Sequence, residues 1–162
     1  FDQIMKNQKG FTLLELLIVI AIIAILAVVV FVALDPLSRF QDARDAQRWS
    51  DVTAILDAAK LDQVDNGGAY VAGISGLTTA LYYQIGTNGS GCDAGCTAQT
   101  TQAVCANIAA LGTEGYLPAI PFDPSTGALT ASDYYIMQNT TTGVLTVGAC
   151  DPEGSAAIEV SR

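Results

Sequence analysis

Few residues of this 162-residue chain have the side chains and the spacing for covalent or metal chemistry. Histidine is absent, which excludes the Ser–His–Asp and Cys–His arrangements of nucleophilic catalysis. No glycine-rich loop of the phosphate-binding kind precedes a helical pattern. The candidates that remain are four cysteines and one carboxylate, Glu15, near the start of an apolar run. This set predicts a protein that is not an enzyme.

The four cysteines predict two disulfides in an exported domain, because all of them lie in the C-terminal two-thirds of the chain. They are Cys92, Cys96, Cys105 and Cys150. Four cysteines allow three pairings. We expect Cys105–Cys150 to join a helix to the strand before Cys150, and Cys92–Cys96 to close a tight loop. The competing interpretation is a Cys₄ zinc site, since Cys92-x₃-Cys96 has metal-ligand spacing, but there is no second close pair. We therefore expect no metal and no other cofactor.

The apolar run extends over residues 16–34 and contains 19 residues without a charge, proline or glycine. About 20 such residues span the hydrocarbon core of a bilayer as a helix. A cleaved secretory signal has an apolar region of only about 7–15 residues. A simple transmembrane anchor fits the length but gives no reason to retain Glu15, because a carboxylate in lipid is costly.

The junction Lys9-Gly10-Phe11-Thr12-Leu13-Leu14-Glu15, with Lys6 before it and the apolar run after it, resembles the class III processing motif of type IV pilins and pseudopilins. The resemblance implies that a prepilin peptidase cleaves after Gly10 and that the new terminal residue, Phe11, is N-methylated. It also implies an assembly role for Glu15, which would pair with the amine of a neighbouring Phe11. The alternative is that Glu15 lies at the headgroup level of the membrane.

The resemblance implies a homopolymer, a helical filament, whose other partners are the prepilin peptidase and the pilus assembly machinery. The subunit would be a single-pass membrane protein before assembly and part of an extracellular surface filament afterwards. The leading hypothesis is a type IV pilus subunit for adhesion, twitching motility or DNA uptake. The alternatives are a pseudopilin of a type II secretion or competence apparatus, and a monomeric membrane-anchored extracellular binding domain. No basic residue lies between Lys60 and Arg162, so no basic patch for nucleic acid is expected.

The apolar helix is predicted to continue as an amphipathic helix over residues 38–65, ended by Asn66-Gly67-Gly68. Phe40, Ala43 and Trp49 belong to its predicted apolar pattern. Positions 42–51 are rich in charged residues, and Arg48 is three residues from both Asp45 and Asp51, close enough to pair on a helix surface. These residues form either a solvated face or a contact with a neighbouring subunit.

The remaining sequence predicts a small head domain. We expect one helix over residues 100–111, strands over 134–138, 143–147 and 156–161, and a hairpin loop at 139–142. An antiparallel sheet on the amphipathic half of the helix gives an α+β fold, which is also the pilin architecture that the resemblance implies. The chain then divides into a leader (1–10), an apolar helix (11–35), an amphipathic helix (36–66) and a head (67–162).

Weaker motifs also occur in the head. Asp123 and Asp151 are isolated surface aspartates or, as in some pseudopilins, part of a calcium site. Asn88-Gly89-Ser90 and Asn139-Thr140-Thr141 match the glycosylation sequon, a short motif that also occurs by chance.

Overall fold

The computed structural model describes residues 10–154 and 156–162, and the chain separates into two compact units, up to residue 39 and from residue 40 onward. The predicted leader lies outside the described residues except for Gly10. The first unit contains helix α1, Leu13–Leu34, in which every residue is exposed. Among the described residues, one window within the stretch Leu13–Asp65 is long and apolar enough, by length and composition, to cross a membrane.

Helix α1 ends at Asp35, whose backbone is left-handed, with φ of 38°. Helix α2, Pro36–Asp65, begins at the next residue. Proline is favourable at the first position of a helix but lacks the N–H that would continue the hydrogen bonding of a preceding one. Asp35-Pro36 therefore separates two helices.

The second unit combines most of α2 with a four-stranded antiparallel sheet in the order β1-β2-β3-β4. Its other elements are α3 (Ala72–Ser75), β1 (Tyr82–Gln84), α4 (Ala109–Thr113), β2 (Tyr134–Asn139), β3 (Val144–Ala149) and β4 (Glu159–Ser161). The predicted α+β class is thus confirmed.

The predicted hairpin between β2 and β3 is present, with its loop at residues 140–143, one residue later than predicted. The side-chain oxygen of Asn139 accepts hydrogen bonds from the N–H groups of Thr141 and Thr142, both at 3.1 Å. Gly143 then has φ of 73°, a left-handed conformation that glycine adopts without steric cost. The turn fixes the register in which Ile136 faces Val147.

The core lies between α2 and the sheet. Val52, Ile55, Leu56 and Ala59 of α2 are buried in one cluster with apolar residues of the strands and of the segments that connect them. The first half of α2 does not follow the predicted pattern, since Phe40, Ala43 and Trp49 are exposed. The buried face of α2 begins at Arg48.

The helix predicted over residues 100–111 is wrong except at its end, where α4 forms. Residues 101–106 instead run beside β1. Gln102 N–H donates to the Tyr82 carbonyl at 2.9 Å, and Ala106 N–H donates to the Gln84 carbonyl at 2.8 Å. Two backbone donors of this segment are therefore bonded to a strand that was too short to be predicted. The last strand is also shorter than predicted and begins at Glu159.

Candidate functional site

The peptide bond between Gly10 and Phe11 lies in exposed, non-helical chain just before α1. Among residues 10–154 and 156–162, a Cβ added to Gly10 would meet no atom within 4 Å. Packing within the described part of the chain thus does not require glycine here.

Glu15 and Thr12 form a capping box at the start of α1. The Thr12 N–H donates to Glu15 Oε2 at 2.8 Å, and the Glu15 N–H donates to Thr12 Oγ1 at 3.2 Å. Two of the N–H groups that a helix leaves unpaired at its start are thereby satisfied. The negative charge also lies at the positive end of the helix dipole. Glu15 has a role within its own chain that the sequence interpretation missed, although Thr-x-x-Glu before an apolar run is the signature of this cap.

One oxygen of the Glu15 carboxylate, Oε2, accepts both of the hydrogen bonds that Thr12 donates. The Thr12 hydroxyl donates to the same Oε2 at 3.0 Å. Among the described residues, no hydrogen bond is made to Oε1. A carboxylate oxygen can accept further bonds, so Glu15 can cap its own helix and still accept from a cation.

A second group of polar residues forms a charged cluster of Arg44, Asp45, Arg48, Asp123 and Glu153. Arg48 is at its centre and is fully buried. Its Nε and Nη2 donate to the two Asp123 oxygens at 2.5 and 2.9 Å, a bidentate pair. Its Nη1 donates to Asp45 at 2.7 Å, and Nη2 also lies 3.1 Å from Glu153. Arg44 pairs with Glu153 as well.

This cluster corrects the sequence interpretation of positions 42–51. Arg48 points into the head and joins α2 to two distant loops. Asp51 accepts a hydrogen bond from the Tyr134 hydroxyl at 2.8 Å, not from Arg48. Asp45 also accepts from the N–H groups of Glu153 and Gly154. These positions are therefore not simply a solvated face.

Asp123 is held ionised by its surroundings. Burial alone would raise the pKa of its carboxyl group. Hydrogen bonds from Arg48 and from the loop residues Ser125 and Thr126 outweigh this effect and lower the pKa to about 2. Arg44 likewise lowers the pKa of Glu153.

The two interpretations offered for Asp123 are both wrong. The residue is 1% exposed, so it is not a surface aspartate, and its two oxygens are occupied by one guanidinium group. Asp151 accepts a hydrogen bond from Thr97 Oγ1 at 2.8 Å. Among the described residues, no group of three or more His, Cys, Asp or Glu could hold a metal ion.

The cysteines form two disulfides, but the predicted pairing is wrong. The bonds are Cys92–Cys105 and Cys96–Cys150. With all four cysteines in disulfides, the zinc interpretation is excluded as well. Residues 101–106 are not helical, and their path along β1 brings Cys105 back to Cys92. Cys96 bonds to Cys150, which directly follows β3. The Ala98 N–H also donates to the Cys150 carbonyl at 3.0 Å.

Loss of Cys96–Cys150 should destabilise the head more than loss of Cys92–Cys105. The sequence separations are 54 and 13 residues. In the chain-entropy model these loops correspond to about 4 and about 3 kcal/mol. Denaturant unfolding of the two paired Cys→Ala variants measures the difference. Elastase cleavage after Ala94 and Ala98 without reduction separates Cys92, Cys96 and Cys105, so mass analysis of the linked peptides reports the pairing. A peptide that links Cys92 to Cys96 or to Cys150 would contradict it.

Comparison with known proteins identifies the N-terminal segment. Residues 5–31 match the family model of the prokaryotic N-terminal methylation motif. This motif is the class III signal of type IV pilins and pseudopilins. The match includes Gly10, Phe11 and Glu15 and points to a structural protein. No curated protein and no solved structure matches the chain.

Proposed function

We propose that this chain, which carries the N-terminal methylation motif of type IV pilins and pseudopilins, is a type IV pilus subunit that polymerises through its N-terminal helix into a surface filament. The observation that carries the proposal is helix α1: its 22 residues are almost all apolar, and none is buried. A helix that is apolar on every side is stable only inside a bilayer or among other apolar helices. The subunit would occupy the first environment before assembly and the second after it.

Glu15 supports a filament over a permanent membrane anchor. An anchor gains nothing from a charge at the edge of the hydrocarbon beyond the cap at Thr12, which an uncharged glutamine would also supply. Cleavage after Gly10 would create a charged amine on Phe11. A neighbouring subunit's Phe11 amine is a suitable donor for Glu15 Oε1. The pair would fix the stagger between subunits, since only one register brings both ions together.

The second unit has the properties of a durable outer domain. It is cross-linked by two disulfides, which persist in oxidising compartments outside the cytoplasm. Residues 40–162 contain thirteen acidic and four basic residues and so carry the whole net charge of −9. Such a charge favours solubility and an exposed location over contact with acidic surfaces.

The function is tested first at the cleavage site. Gly10→Val should prevent cleavage, because the branched side chain would occupy space that the peptidase requires. The expected result is a precursor in the membrane fraction and no filaments, whereas the wild-type subunit should begin at a methylated Phe11. Intact-mass analysis of membrane and sheared-surface fractions provides the measurement.

Gly89→Val is the matched control for Gly10→Val. In the described part of the chain, Gly89, like Gly10, has no atom within 4 Å of an added Cβ, and Gly89 does not have a positive φ that valine would disfavour. Valine there should leave processing and assembly unchanged. Filaments whose subunits retain residues before Phe11 would contradict the proposal.

Two further measurements separate the alternatives. A pilus subunit should dominate the sheared surface material, whereas a pseudopilin of a secretion or competence apparatus should be scarce there. A monomeric anchored binding domain should show no self-association at all. Cross-linking in intact cells followed by size analysis distinguishes this last case.

A further inference from the structure

The chain contains two Asn-Gly pairs, Asn66-Gly67 and Asn88-Gly89. In such a pair the backbone nitrogen of glycine can approach the asparagine carboxamide, because no side chain shields it. The glycine nitrogen can attack the carboxamide carbon only if the side chain and the backbone can move toward each other. Hydrogen bonds that hold either the side chain or the backbone oppose the reaction, and the two pairs differ in this respect.

Asn66-Gly67 is held at the end of α2. Asn66 Nδ2 donates to Asp62 Oδ1 at 2.7 Å and to the Asp62 carbonyl at 3.1 Å. Gly67 has φ of 66°, and Gly68 N–H donates to the Gln63 carbonyl at 2.7 Å, which is a left-handed helix cap. Movement of the Asn66 carboxamide toward Gly67 would break both the side-chain bonds and the cap.

Asn88-Gly89 lies in an exposed loop outside any helix or strand. Among the described residues, neither the Asn88 carboxamide nor the Gly89 N–H makes a hydrogen bond. The flanking backbone is fixed, since Asn88 N–H donates to the Thr130 carbonyl at 3.2 Å and its own carbonyl accepts from Cys105 N–H at 3.3 Å. The reacting groups are thus unbonded on a loop that is held at its base.

We propose that Asn88 is a site of self-modification in the folded protein. The Gly89 nitrogen forms a bond to Asn88 Cγ and loses its proton, while the carboxamide nitrogen takes up a proton and leaves as ammonia. The product is a five-membered succinimide. Water then opens it at one carbonyl or the other and leaves aspartate or isoaspartate. The only co-reactant is water, and nothing is oxidised or reduced.

The modification would change the surface of the head with age. It adds one negative charge to an already acidic unit, and isoaspartate lengthens the backbone by one methylene group. The nearby disulfide Cys92–Cys105 and the bond from Asn88 N–H to Thr130 would keep the change local. This inference does not depend on the proposed filament.

The test compares the two asparagines in one molecule. Full-length protein in detergent is kept at mildly alkaline pH and sampled over time, then reduced and digested with chymotrypsin, which separates Asn66 from Asn88 by cleavage after Tyr83. Mass analysis and isoaspartyl methyltransferase labelling quantify both sites. In the folded protein, Asn88 should react about tenfold or more faster than Asn66, because the cap must open first.

The same protein, reduced and denatured, is the control. Both asparagines should then react at similar rates, because each is followed by glycine. Gly89→Ala should slow the reaction at Asn88 without affecting Asn66. The proposal is overturned if Asn66 keeps pace with Asn88 in the folded state, or if Asn88 stays intact there while it reacts in the denatured chain. A glycan on Asn88 of the exported protein would also overturn it, because the glycan is attached to the carboxamide nitrogen that must leave as ammonia.

Discussion

Asp123→Ala should lower the free energy of unfolding of the head by about 3–5 kcal/mol, the usual result of removing one partner of a buried ion pair. The substitution leaves the Arg48 guanidinium buried without its bidentate acceptor. Asp45 and Glu153 remain within reach of Arg48, which places the effect toward the lower end of the range. Denaturant unfolding of the full chain in detergent, followed through the head's tyrosines, measures the loss.

Asp57→Ala is the matched control for Asp123→Ala. It also removes an aspartate that pairs with an arginine, since Arg162 Nη1 lies 2.5 Å from Asp57 Oδ1, but both side chains are more than half exposed. Exposed pairs contribute at most about 1 kcal/mol. If the two substitutions lower the free energy of unfolding equally, the charged cluster contributes no more stability than a surface ion pair.

The same cluster should make stability depend on pH in a defined direction. The pKa of Asp123 is about 2 in the folded chain and about 3.9 in an unfolded one. A lowered pKa in the folded state contributes stability above the unfolded value, which is lost as the pH falls from about 4 toward about 2. Asp123→Asn should remove this part of the pH dependence. If the variant loses as much stability as the wild type between about pH 4 and about pH 2, Asp123 is not the source of this pH dependence.

Local patterns predicted helix α1, and the motif before it is contiguous in the sequence. The composition of residues 16–34 is sufficient for a helix, and Gly10, Phe11 and Glu15 are read directly from a contiguous motif. The capping box at Thr12 was equally readable, since both partners lie within one turn. These features involve residues that are close together in the sequence, so they can be predicted from the sequence without the structure.

The charged cluster could not be predicted in this way. Asp45 and Asp51 are each three residues from Arg48, and of the two only Asp45 pairs with it. The residues that bury Arg48 come from loops 75 and 105 positions further along the chain. A buried arginine and an exposed one have the same local pattern, so only the path of those loops decides between them. The cysteine pairing failed for the same reason, because it depends on how residues 101–106 bond to β1.

Glu15→Gln should abolish or greatly reduce filament formation while leaving the membrane-bound subunit intact. Glutamine can replace glutamate in a capping box, so the bond from Thr12 N–H at the start of α1 is retained. What is lost is the charge that would pair with the Phe11 amine of a neighbouring subunit. Removing one member of a buried interfacial ion pair should raise the concentration needed for assembly by about tenfold or more.

Thr12→Ala provides the complementary change. It removes the Oγ1 acceptor of the Glu15 N–H and weakens the cap, but it keeps the carboxylate and its charge. If Glu15 acts through the ion pair, Thr12→Ala should still form filaments and Glu15→Gln should not. Filament counts and membrane fractionation on matched expression levels separate the two effects. If Glu15→Gln assembles normally and Thr12→Ala does not, the carboxylate serves only the cap of its own helix, and the register of the filament must be set by the apolar side chains of α1.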